Sequence, residues 1–188
     1  EGLGAITDFF VRSGHVTRTA KFVVASGPAA DVLKVKPKLD KLIAVYLERT
    51  LQSRAVTSRF RERDLNKLVK DLRFDNATLV ARVTPSEEEV KVAGAGVIVG
   101  NRLVGYLGEV ETRAAVLMLG ELSGGTLVIP CPDEDGGRVT YFIDNARRTI
   151  RPEWREDHVH FSVEFEISGR VTERTCPSRI NPQSLARA

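Results

Sequence analysis

His158 and His160 stand two residues apart in an alternating segment, so both imidazoles fall on one side of a strand, and two imidazoles with further donors would hold zinc. Asp157 would join them only if the chain bends there, and His15 has no companion. Exposed polar residues on the outer side of a half-buried strand account for the pair better, and no metal ligand is assigned. Gly94-Ala95-Gly96 with Gly100 has the look of a dinucleotide fingerprint. A phosphate-cradling loop must open directly onto a helix, whereas Val97, Ile98 and Val99 continue a strand. These glycines are read instead as sites of a bulge or of close backbone packing. Glu109 and Glu111 are two apart at a helix start, where they project on different sides and act on the free amide hydrogens rather than as an acid/base pair. No Gly-x-Ser-x-Gly elbow occurs. No catalytic, cofactor-binding or metal-binding residue is therefore assigned, and an enzyme is not expected.

Charge is the remaining chemistry. Arg147, Arg148 and Arg151, with Arg138 upstream, form the best basic cluster and a candidate interaction surface; Arg54, Arg59, Arg61 and Arg63 form another. A nucleic-acid footprint needs such residues on one face with aromatics to stack on bases, and aromatics make up 6% of the chain. A nucleic-acid-binding module is thus the alternative reading, behind a basic face turned toward anionic headgroups or an acidic partner. The 28 basic and 25 acidic residues nearly balance, leaving a net charge of +3, which describes a solvated surface. Cys131 and Cys176 lie far apart with no Cys-x-x-Cys or neighbouring histidine, and free thiols are expected.

The elements that must position these groups are legible as changes of period. Val16 to Ala25 reads as a strand, and Ala29 to Val35 as a short helix. Pro37 suits the first turn of a longer helix in which Leu39, Leu42, Ile43, Tyr46, Leu47 and Leu51 share a face. Leu65, Leu68, Val69 and Leu72 mark a second amphipathic helix. Val97 to Leu107 forms a hairpin about Gly100-Asn101, followed by a helix from Glu109 that ends at Gly120 or Gly124-Gly125. Thr126 to Ile129, Arg138 to Ile150 and Val159 to Ile167 read as strands, with Asp133 to Gly137 as a turn. In the last strand Val159, Phe161, Val163, Phe165 and Ile167 share a face expected to meet a core. Ile180 to Leu185 looks like a helix start. No apolar run is long enough for a bilayer span, and the opening at Glu1 reads as a segment of a longer chain.

The words Asn101 to Leu107, with Gly105 and Leu107, and then Glu109-Val110-Glu111-Thr112-Arg113 resemble the signature of the Ger(x)C proteins, the lipoprotein C subunits of spore nutrient germinant receptors. Phe22 to Leu33 and Val163 to Glu173 resemble further stretches of that family in the same order, so the likeness covers residues 9 to 173. Ala114-Ala115 departs from the glycine expected after Glu111-Thr112-Arg113. The resemblance makes Gly105, Leu107, Glu111, Thr112 and Arg113 structural signature residues.

It also implies an α+β fold: a mixed, largely antiparallel sheet with packed helices, preceded by a helical remnant of a first domain. Residues 1–75 would end that first domain, 76–173 form a central domain and 174–188 begin a third, with the division near Phe74 to Thr84. The implied role is non-enzymatic: assembly and nutrient response of a receptor with A and B subunits. The implied site is the outer face of the spore inner membrane, reached through an N-terminal lipid anchor, with neither cofactor nor nucleic acid.

Overall fold

The computed structural model describes residues 3–13, 16–38, 40–53, 58–131 and 136–176. His15, Leu39, Arg54, most of the expected turn at Asp133 to Gly137 and the helix start at Ile180 lie outside them. The chain divides into two compact units, residues 1–54 with 59–115 and residues 55–58 with 116–188.

The first unit is built on a four-stranded sheet. Its strands are β2 (Val24–Ala25), β4 (Ala77–Pro85), β5 (Val90–Val99) and β6 (Arg102–Leu107), in the order β2-β4-β5-β6. β2 runs parallel to β4, and the other pairs are antiparallel. The strand read over Val16 to Ala25 is in fact two pieces. Lys21 and Phe22 form β1, which pairs with β3 (Arg63–Asp64), while β2 joins the larger sheet. The stretch expected to divide the chain is occupied from Ala77 by β4, which is hydrogen-bonded on both sides.

Alternation along β4 sends Val80 to one side of the sheet and Ala81 and Val83, around a bulge, to the other. On the second side Ala81, Val83, Val90 and Val92 bury against α2 (Ala29–Lys34) and α3 (Ile43–Gln52), through Val32, Leu51 and Tyr46. On the first side Val80 and Ile98 pack with Leu68 and Leu72 of α4 (Leu65–Phe74) and with Leu3 of α1 (Leu3–Ser13). Asp64 starts α4 as its cap, accepting the Lys67 N–H at 2.9 Å. α3 is shorter than its leucine spacing suggests: Leu42 is extended and exposed, so Pro37 stands before the helix and not in its first turn.

The second unit holds β7 (Gly125–Pro130), β8 (Arg138–Arg155) and β9 (His158–Arg174), antiparallel in the order β7-β8-β9. The connecting helix, α5 (Glu109–Met118), contributes Val116 and Leu117 to a core with Leu122, Ile143, Tyr141 and Ile167. That helix stops at Gly120, whose φ of 70° suits glycine. The Gly120 N–H returns to the Leu117 carbonyl and the Glu121 N–H to the Val116 carbonyl, a Schellman closure.

The free-thiol expectation is corrected: Cys131 and Cys176 form a disulfide, 45 residues apart in sequence and 5.9 Å between Cα atoms. The sheet cancels the sequence distance. Pro130 pairs with Arg138 and Arg174 with Val139, so the residues just past β7 and β9 flank the same end of β8.

Candidate functional site

The signature stretch is held by contacts that its residue types require. β5 and β6 join through a two-residue loop, Val99 pairing with Arg102, and Gly100 takes a φ of 57° at the first loop position. Gly94 has a φ of 82°, and a Cβ there would sit 2.5 Å from the Leu107 carbonyl oxygen. A Cβ on Gly96 would lie 3.0 Å from Leu103 and 3.1 Å from Val24. Gly94 and Gly96 are therefore close-packing sites inside β5, while Gly100 lies in the loop; none opens a helix. Gly105 faces open space next to a bulge in the β5–β6 register.

Of the remaining signature residues, Thr112 is 0% exposed and donates its N–H to the Gly108 carbonyl at 3.0 Å. Glu111 is exposed, its carboxylate lying beside Gly108. Arg113 is half-buried, and its pKa is lowered by that burial and then by the charge of Arg59. Glu109 is flanked by Lys91 Nζ at 2.5 Å and Arg59 Nε at 3.6 Å. The Lys91 hydrogen bond, followed by the charges of Lys91, Arg59 and Arg113, holds the Glu109 carboxyl below the usual carboxylate range against its desolvation. These roles are structural: they fix the passage from β6 into α5.

The two arginine clusters do not each form one basic face. Arg61 and Arg63 are buried in the first unit, where Asp71 Oδ2 of α4 takes Arg63 Nε at 2.8 Å, Arg61 at 3.3 Å and the Thr78 hydroxyl at 2.6 Å. Arg59 serves Glu109, and Arg54 lies outside the described residues. Sequence reading missed this core network; its available signal was Phe60 set among the arginines, with Asp71 three residues after Leu68 on the next helix.

On β8, Arg147 stands opposite Glu166, and Arg151 bonds Glu164 at 3.1 Å. Arg148 lies on the other face with its guanidinium donating to the Met118 carbonyl. Arg138 opens the strand about 30 Å from Arg147 at the usual rise per residue. His158 is beside Asp157 at 3.1 Å, and no group of three or more His, Cys, Asp or Glu residues gathers among the described residues.

What the second unit presents is an apolar ribbon. Past Ile143, β7 ends, and β8 and β9 continue as a two-stranded hairpin closing at Glu156-Asp157. Cross-strand pairs Trp154–Val159, Pro152–Phe161 and Ile150–Val163 share one face, on which Trp154 is 71% and Phe161 60% exposed. The expected burial of the Val159 to Ile167 face is thereby corrected: the alternation is present, yet only Val163 and Ile167 are even half-buried, because the helix covers the base of the ribbon and not its length. Uncovered apolar faces of this kind mark interaction surfaces.

Comparison with known proteins agrees with the signature. Residues 1–84 match the family described as spore germination protein N-terminal domain, and residues 93–186 match spore germination B3/GerAC like, C-terminal. Spore germination protein A3 of Bacillus subtilis (strain 168) is 21% identical over 177 residues, covering 94% of this chain and 47% of the relative. Spore germination protein B3 of the same organism is 25% identical over 191 residues, covering 95% and 48%. The crystal structure of the GerBC protein superposes with a TM-score of 0.63 at 20% identity, over 95% of this chain and 51% of that one, and shows a shared fold. The chain spans about half the length of the curated relatives it matches. With both family regions matched in order along a mixed α+β fold, the chain belongs to the GerAC-like family of spore germination proteins.

Proposed function

We propose that this chain is part of the C subunit of a spore nutrient germinant receptor, a non-enzymatic component that helps A and B subunits assemble and respond when nutrient binds. The observation that carries the reading is the ordered match of both family regions, 1–84 and 93–186. In the proposed setting the full-length protein is a lipoprotein on the outer face of the spore inner membrane. The Cys131–Cys176 disulfide supports an oxidising location, since such bonds persist mainly outside the cytosol. No helix among the described residues is long and apolar enough to cross a membrane. Arg147 stands opposite Glu166 and Arg151 pairs with Glu164, which favours a protein partner over nucleic acid.

The test is co-purification of the full-length lipidated protein with A and B subunits from spore inner membranes, with residues 1–188 intact or deleted. Association that survives only with this region intact supports the assembly role; association unchanged by the deletion places the contact elsewhere.

A further inference from the structure

We propose that Arg82, with Ser26 and Thr84 beside it on the four-stranded sheet, is a receptor for a carboxylate. Ser26 follows β2, and Arg82 and Thr84 stand two apart in β4, so their side chains share one face of the sheet. Arg82 is half-buried, with its guanidinium 4.8 Å from the centre of the Tyr106 ring and its Nε donating to Ser26 Oγ. The ring covers one face of the cation, and the Tyr106 hydroxyl is anchored by donating to the Ala25 carbonyl at 3.2 Å. What remains is the outer end of the guanidinium, where two Nη groups project in the geometry that a carboxylate accepts with both oxygens.

Among the described residues no acidic side chain meets that end: Arg82 forms no ion pair, whereas the buried guanidiniums of Arg61 and Arg63 share Asp71. The carboxylates of the adjoining segments are engaged elsewhere, Asp31 with Lys34 at 3.1 Å and Glu88 with Lys38. Ser26 adds a second donor. Its oxygen accepts from Arg82 Nε and from the Thr84 hydroxyl at 3.2 Å, so both lone pairs are used and its own proton is left to donate. Beside it Gly27, at a φ of 100°, has open space where a Cβ would stand. The set thus offers donors alone and carries one unmatched positive charge on a partly desolvated cation, which an oxyanion of single charge neutralises. That count favours a carboxylate over a phosphate, whose second charge finds no second cation in the set. Because the chain spans about half the length of its relatives, the carboxylate has two sources, a free small acid or an acidic side chain of the full-length protein.

The probe is sodium acetate, read on the Nε–Hε NMR cross-peak of Arg82, which Arg82→Gln identifies by removing it. Acetate should shift that peak to saturation at roughly millimolar concentration, chloride at equal ionic strength should not, and inorganic phosphate should bind more weakly. Ser26→Ala should weaken acetate binding roughly threefold to tenfold through the lost hydroxyl, with circular dichroism unchanged. A peak that moves alike with acetate and chloride overturns the proposal. So does calorimetric binding of acetate that survives Arg82→Gln, or phosphate that binds more tightly than acetate. The same peak in the full-length protein tells the sources apart. If acetate still shifts it, the occupant is a free acid; if it already stands at the acetate-bound position and ignores added acetate, the occupant is a carboxylate of the protein itself. A peak that stays at the unbound position and ignores acetate overturns the proposal.

Discussion

Gly94 leaves the sequence no alternative, because its positive φ and the Leu107 carbonyl both exclude a side chain. Gly94→Ala is expected to cost about 3 kcal/mol, read as a shift in the urea midpoint, from backbone strain plus the clash. Asp71 matters for a different reason: one carboxylate oxygen serves two buried guanidiniums and the Thr78 hydroxyl. Asp71→Ala should destabilise by about 3 kcal/mol, since removing one partner from a buried ionic network costs more than the network contributes net. Glu109 is more exposed and worth less, about 0.5 kcal/mol. Its carboxyl pKa is depressed in the fold, so its contribution is present above the unfolded-state value and disappears as pH falls through the folded one, below the ordinary carboxylate range. Glu109→Gln should therefore lower stability at neutral pH and flatten the acid limb of a stability–pH profile in that window.

Elements differ in how far their residues announced them. α4 was legible because Leu65, Leu68, Val69 and Leu72 form an amphipathic stripe, the Asp64 cap emerging only in the structure, and the β5–β6 hairpin because Gly100 supplies the one angle its loop demands. The fracture of the first strand was not legible: Val23 separates two pieces whose partners, β3 and β4, lie some forty and sixty residues on, and local pattern carries no such information. β9 shows the converse. Its alternation gave the strand and its apolar side, but whether that side is covered depends on the extent of other elements. The disulfide was invisible for a topological reason, since only the β7-β8-β9 register brings positions 131 and 176 together. Closing a loop of that length is worth about 4 kcal/mol by chain entropy. Reduction, or Cys131→Ser with Cys176→Ser, should lower the unfolding midpoint of the second unit accordingly in calorimetry.

For the whole molecule, the two units rest on unlike stabilising features, a buried ion network in one and a covalent bond in the other. Asp71→Ala and a reductant are accordingly expected to move different transitions in a thermal scan, and a single transition shifted by both would show that the units unfold as one. Part of the family signature was readable because the fold constrains residue type there whatever the partner, as at Thr112, which is wholly buried. The arginines misled because sequence reports a charge without its neighbour: Arg63 looked like surface and is 4% exposed. The Cys131–Cys176 bond has one more consequence, a mechanical one. Tension applied to the chain beyond Cys176 passes through the sulfur bridge to the end of β7 and bypasses residues 132–175. The long hairpin lies wholly inside that closed loop, so it cannot be unzipped by a pull from either side while the bond is intact, and in a force trace it should lengthen the chain only after reduction.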